Sequence, residues 1–287
     1  MKKDLLISTS FSLKWNDLKP WIRSINNTDF SGDKILIVYN MDKETIEKIS
    51  NEGFLIVATS NPQKDGSYKY EFDTTNKNLA IEKFGHLWIF LKDKIDLYEN
   101  VLMTGCRDVI FQSNPFNYIK NIFEENKNKK IILSPEPTLF KNETWFNGPN
   151  ALATLGQAAY LNIENSPIFS SDVIAGKTRE VADFFALIHQ IIKYNPVFYS
   201  DQAVLNFVAS LEPLKSSIYY SYGIEGWAAQ VGLYFFEDFK LPLVPIEPSP
   251  IWKNNKVLTY NQLKEFDLIH QYDRSSHILK YINDLYE

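Results

Sequence analysis

The sequence predicts an α/β protein: a single domain built on a mixed, mostly parallel sheet flanked by helices. Two observations carry that prediction. Short apolar runs rich in β-branched residues recur early as "DLLIST", "DKILIVYN" and "FLIVATS". Segments with helical spacing separate them, and strands linked by crossover helices pair in parallel. The apolar content, 45% of 287 residues, is ample for a sizeable core.

Taken in order, "DLLIST" reads as a buried strand. "WNDLKPWIRSINN" places Trp15, Leu18, Ile22 and Ile25 at helical spacing, with Pro20 expected to delay the start. "DKILIVYN" is a second strand, "DKETIEKISNEG" a short helix capped by Gly53, and "FLIVATS" a third strand. "TTNKNLAIEKFGHLWIFLKD" reads as a long helix, followed by the strand "NVLMTG", a helix around "NYIKNIFEENKN" and the strand "KKIILSPE". "PTLFKNETWFNGPN" is irregular and aromatic, and "ALATLGQAAYLN" has helical character. "SPIFSSDVIAG" reads as a strand ending in a turn, "TREVADFFALIHQIIKYN" as a strong amphipathic helix, and "SDQAVLNFVASL" as another helix. Prolines exclude a helix over "PLVPIEPSPIW", and "FDLIHQYDRSSHILKYINDLYE" reads as a strand, a polar turn and a last helix. No repeat, low-complexity tract or linker interrupts the chain. It divides only in character, into a nucleotide-type α/β first half and a more irregular second half.

The net charge of −5 argues against a nucleic-acid partner, which calls for a basic surface. A single cysteine excludes an internal disulfide framework and a Cys-rich zinc site. The start, "MKKDLLISTSFSLKW", lacks the apolar core of a secretory signal, and no stretch approaches the ~18 apolar residues of a membrane span. The expectation is a cytoplasmic protein without an integral membrane segment.

Several phosphate-binding and nucleophile motifs are missing. The tip of the first strand reads "STSFS" rather than G-x-G-x-x-G, and the chain has no G-x-x-x-x-G-K-[ST], H-E-x-x-H or G-x-S-x-G. A charged ligand would then be neutralised by a metal ion or by Arg and Lys. In open α/β sheets ligands bind beyond the carboxyl ends of the strands. The polar residues there are Ser8, Thr9 and Ser10, Asn40, then Thr59, Ser60 and Asn61, and the Arg107–Asp108 pair. "SPIFSSDVIAG" adds Asp172, and "LIHQYDR" adds His270, Asp273 and Arg274. If the strands run roughly parallel, these groups converge. Asp108 and His270 could then ligate a divalent ion, with Arg107 and Arg274 on phosphate oxygens.

Four segments resemble a group of GT-A-fold nucleotide-sugar glycosyltransferases. They are "VLMTGCRDVIFQSNPF", "SSDVIAGKTREVADFF", "YSDQAVLNFV" and "LIHQYDRSS", in the family's order and spanning nearly the whole chain. The resemblance implies a GT-A-like Rossmann-type fold, with a nucleotide-binding half over 1–135 and an acceptor-binding half over 136–287. It implies a hexosyltransferase-type enzyme that moves a sugar from a nucleotide-diphosphate sugar to a hydroxyl of a glycan, lipid-linked or protein acceptor, in glycan or polysaccharide synthesis. Donor contacts would come from Ser8, Thr9, Ser10, Lys77, Asn78, Arg107, Asp108 and Arg274. Asp108 and His270 would hold Mn²⁺ or Mg²⁺, and Trp145 and Gln202 would face the acceptor. Asp172 or Asp201 would serve as the base an inverting enzyme needs.

The chain departs from that pattern at Gly105, where the family carries an acidic residue. Three readings stay open: an ion held by one carboxylate and one imidazole with diphosphate and water, a metal-free site relying on Arg107 and Arg274, or a sugar- or nucleotide-binding role without catalysis. A sugar nucleotidyltransferase is a further alternative, although "STSFSLKW" lacks its glycine-rich loop.

Overall fold

The computed structural model describes residues 2–59, 61–69, 79–194, 197, 199–235 and 244–287. In chain order the elements are β1 (Lys3–Ser10), α1 (Trp15–Asn26), β2 (Asp33–Val38), α2 (Lys43–Asn51), β3 (Leu55–Ala58), α3 (Leu79–Lys92), β4 (Tyr98–Thr104), β5 (Val109–Phe111) and α4 (Pro115–Glu125). The chain continues through β6 (Ile131–Leu139), α5 (Asn147–Tyr160), β7 (Pro167–Lys177), α6 (Thr178–Lys193), α7 (Ser200–Ala209), α8 (Leu214–Ser217), β8 (Ile218–Tyr220) and β9 (Ala228–Gln230). It closes with β10 (Ile251–Lys253), β11 (Lys256–Leu258), β12 (Leu268–His270) and α9 (Ser276–Tyr286).

Seven strands form the central sheet in the order β3-β2-β1-β4-β7-β6-β8. All neighbours are parallel except where β7 runs antiparallel between β4 and β6. The strands read as continuous apolar runs because helices cover both faces. Leu5 and Ile7 point into one layer with Phe84, Phe184, Phe185 and Val204 from α3, α6 and α7. Leu6 points into the other with Leu18, Trp21, Phe116 and Ile119 from α1 and α4. This is a single α/β domain of Rossmann-like character, as the alternation of strands and helices predicts.

Three local expectations are corrected. Helix α1 begins at Trp15 and carries Pro20 in its interior, so the proline does not delay it. The "SPIFSSDVIAG" strand does not end in a turn: β7 continues to Lys177 and passes directly into α6. The strands bearing the polar residues are not all parallel members of one sheet. β7 is antiparallel, and β12 belongs to a separate sheet in the order β5-β12-β9, pairing antiparallel with β5 and parallel with β9.

The chain reverses direction across the sheet between β1 and β4, since β2 and β3 lie to one side and β7, β6 and β8 to the other. Such a switch point leaves a crevice beyond the carboxyl ends of the two strands. The small sheet stands across that crevice, because β5 leaves the end of β4 within a few residues.

Candidate functional site

At the end of β4 the backbone N–H of Gly105 donates to Asp172 O at 2.8 Å, extending the β4–β7 ladder by one step. Asp172 therefore reaches the rim although it lies mid-strand, because an antiparallel neighbour crosses the rim wherever its partner ends. A Cβ built on Gly105 would stand 3.1 Å from Asp108 Oδ1 and 3.5 Å from Asp172 Cβ. Asp108 and Asp172 thus flank position 105, where the resembled family has its first acid.

The two charged motifs meet residue by residue across more than 160 positions. Asp108 Oδ2 lies 3.7 Å from His270 Nε2. Arg107 Nη2 donates to Asp273 Oδ2 at 2.8 Å, and Tyr272 Oη donates to Arg107 O at 3.3 Å. Gln271, in the left-handed region at φ 63°, directs its backbone N–H onto Asp108 O at 2.7 Å. Backbone strain of this kind, held by surrounding bonds, is frequent at ligand sites.

The remaining motif residues build the frame. Gln112 donates to the Val257 and Phe266 carbonyls and accepts from Val257 N–H, tying β11 to the end of β5. Asn114 caps α4 through Phe116 N–H, with Pro115 in the first turn. Asn206 makes paired bonds of 2.8 Å with the backbone of Phe169, docking α7 on β7. That docking sets Asp201 against Ser171, whose hydroxyl donates to Asp201 Oδ2 at 2.9 Å.

A lysine that reads as an ordinary helical residue in the sequence completes the rim. Lys83 of α3 is buried, and its Nζ lies 2.9 Å from Asp172 Oδ1 and 3.1 Å from Asp201 Oδ2. Burial alone would lower the Lys83 pKa, but the two carboxylates drive it well above its ordinary value. Burial would likewise raise Asp172, and Lys83 with His270 reverses this and holds it below the usual carboxylate range. The Asp172 side chain is 42% exposed toward the crevice, whereas that of Asp201 is only 10% exposed.

Asp108 and His270 are the two donors at this rim that could hold a divalent ion. The Asp108 side chain is 17% exposed, and no hydrogen bond reaches its carboxylate from the described residues. Burial holds its pKa above the ordinary value against the pull of His270, with Asp172 and Asp273 adding to the rise. His270 Nδ1 lies 2.6 Å from the side-chain amide of Gln230, which orients the imidazole so that Nε2 faces Asp108. The 3.7 Å gap between them is too long for a hydrogen bond and comparable to the span between two ligands of one ion. Among the described residues no three His, Cys, Asp or Glu side chains are grouped to hold a metal. Phosphate oxygens and water would therefore complete such a shell, as is usual for Mg²⁺.

The other sequence-predicted residues divide between two depressions. A cavity of about 530 Å³ is lined by Trp145, Gln202 and Arg274 together with Glu136, Glu143, Phe146 and Gln271. Arg107 lines a separate depression with Lys19, Asp17 and Asp273, and Asp273 stands between it and Arg274, whose Nε is 3.8 Å from Asp273 Oδ1. Ser8 is buried and donates to Thr104 O at 2.6 Å, tying β1 to β4. Ser10 is also buried, next to the Cys106 thiol, whose pKa burial pushes up to about 12. Thr9 accepts from the same thiol through its carbonyl at 3.3 Å. Lys77, Asn78 and Ser60 lie outside the described residues.

The sequence reading passed over Lys83, Glu136 and Gln230. Lys83 was visible only as a lysine on the otherwise apolar spacing of α3. Glu136 sits between Pro135 and Pro137 at the end of an apolar strand, a setting that signals a confined carboxylate.

Compared with known proteins, the chain matches no family model and no curated protein sequence. Among the described residues no helix is long and apolar enough to cross a membrane.

Proposed function

We propose that the chain is a GT-A-type glycosyltransferase acting in glycan or polysaccharide synthesis, moving a sugar from a nucleotide-diphosphate sugar to a hydroxyl acceptor. The observation that carries this reading is the convergence of Asp108, Asp172, His270 and the buried Lys83 on Gly105, at the switch point of a mostly parallel sheet. The nucleotide lies beyond the ends of β1 to β3, and its diphosphate reaches Asp108. Mn²⁺ or Mg²⁺, when bound at Asp108 and His270, supplies positive charge where the departing diphosphate gathers negative charge. Gln230 holds the His270 ring with Nε2 turned toward Asp108. Lys83 holds Asp172 ionised and in one place, so Asp172 can accept hydrogen bonds from the hydroxyls of the donor sugar. Trp145 and Gln202 border the cavity that takes the acceptor, with Arg274 at its edge.

The second reading, a nucleotide- or sugar-binding protein without turnover, is favoured by Gly105, which leaves the motif one carboxylate short. Release of free nucleotide from a panel of UDP- and GDP-sugars, with and without Mn²⁺, separates the two. Turnover dependent on metal supports the transferase. Binding without turnover supports the second reading, and no response to any nucleotide overturns the transferase and leaves only the sugar-binding form of the second.

A further inference from the structure

Resting on the transferase reading, we propose that Glu136 of β6 is the general base that takes the proton of the acceptor hydroxyl, and that transfer inverts the anomeric centre. The carboxylates expected for that task, Asp172 and Asp201, are both bound to the Lys83 ammonium. Asp172 Oδ1 is held by that ammonium, and Asp201 Oδ2 by the ammonium and the Ser171 hydroxyl together, so both carboxylates are already committed.

Glu136 differs on each count. It is 6% exposed and lines the 530 Å³ cavity beside Trp145 and Gln202. Its Oε1 accepts from Gln202 Nε2 at 2.9 Å, and that same amide group is anchored to Asn147 Oδ1 at 3.2 Å. Its other oxygen, Oε2, accepts no hydrogen bond from the described residues and is the atom left for a ligand. The two prolines that flank it deny the local backbone two N–H donors that could otherwise occupy the carboxylate.

The charged surroundings point the same way. Burial is the largest influence and pushes the Glu136 pKa up to about 7, opposed by Gln202 and reinforced by the negative charges of Glu143 and Asp172. Glu143 comes from the loop before α5 and Asp172 from β7, and Arg274 also lines the cavity. Glu143 does not compete for the role. Its Oε2 is occupied by the backbone N–H groups of Phe146 and Gly148, which shape the Trp145 loop, and its Oε1, although it accepts no hydrogen bond, is shut off from the cavity surface.

In the transfer step the acceptor oxygen forms a bond to the anomeric carbon. The bond from that carbon to the β-phosphate oxygen breaks, and its electron pair leaves with the nucleoside diphosphate. The acceptor proton passes to Oε2 of Glu136, which later returns it to solvent. Attack from the Glu136 side, opposite the departing diphosphate, inverts the configuration.

The test uses the full chain, with UDP-glucose, UDP-galactose and GDP-mannose as donors and water as the acceptor, read by release of free nucleotide and by NMR of the sugar. For a donor that the wild type turns over, Glu136→Gln should lower kcat about 100-fold while leaving the donor dissociation constant within twofold. The wild-type rate should rise with pH to a plateau with its midpoint near 7, and the residual rate of the variant should lack that midpoint. The first-formed sugar should have inverted configuration. Unchanged kcat in Glu136→Gln, or retained configuration, would overturn the assignment while leaving the transferase reading intact. If the wild type neither binds nor hydrolyses any donor, the transferase reading fails and the base falls with it.

Discussion

Lys83 Nζ sits between Asp172 and Asp201, 2.9 Å from one and 3.1 Å from the other, and it joins α3 to β7 and α7 at the rim of the sheet. Removing a single partner from such an arrangement leaves confined charge uncompensated. Lys83→Met should lower stability at pH 7 by about 3 kcal/mol, the low end for a buried ion pair because Asp172 keeps part of its hydration. The Asp172 pKa is depressed in the fold, so the ion pair contributes above the ordinary carboxylate value and is lost as pH falls through the lower, folded value. Urea denaturation of wild type and variant at pH 7 and pH 3 should therefore show the difference shrinking in acid.

A pH effect of opposite sign is expected at Glu136. The folded protein keeps its proton to about pH 7, whereas the unfolded carboxyl releases it near 4.5. Its contribution to stability is full below that lower value, declines as pH rises through the window, and stays low above 7. Glu136→Gln removes the decline. The variant should be more stable than wild type at pH 8 by up to on the order of 3 kcal/mol and nearly equal to it at pH 4, measured by urea unfolding.

Asp108→Asn tests the ion. With UDP or GDP present, Mn²⁺ should raise the melting temperature of the wild type, and the variant should lose most of that rise. A full metal-dependent rise in the variant would remove Asp108 from the site.

Gly105→Asp places a third carboxylate where a Cβ already meets Asp108 Oδ1 at 3.1 Å. Crowding and like charge should lower the melting temperature in EDTA. Added Mn²⁺ should then raise it more than in the wild type, as scanning fluorimetry would show.

Trp145→Ala should raise the KM for a sugar acceptor about three- to tenfold, the scale of one aromatic contact, with the donor dissociation constant unchanged. An equal loss of donor affinity would place Trp145 on the other side of the reaction.

The parallel core was legible because its strands are apolar on both faces and its helices have clear spacing. The direction of β7 was not, since an apolar run such as "SPIFSSDVIAG" is equally good in either orientation. The pairing of Asp108 with His270 could be suspected from the two charged motifs, yet the route differed: β12 arrives in a second sheet rather than at the end of a parallel strand. Lys83 was hidden by its chemistry. A mid-helix lysine reads as a solvated surface group until its partners on β7 and α7 are seen. Ser8 illustrates the reverse: a hydroxyl at a strand tip suggested ligand contact, and the fold spends it on Thr104.

His270 belongs to the small sheet, whereas Lys83 and Asp172 are anchored on the large one. Any molecule that engages both groups ties together two sheets that are joined at this rim by the short segment from Gly105 to Asp108. Occupancy should therefore register far from the point of contact, as slower amide exchange along Leu268–His270.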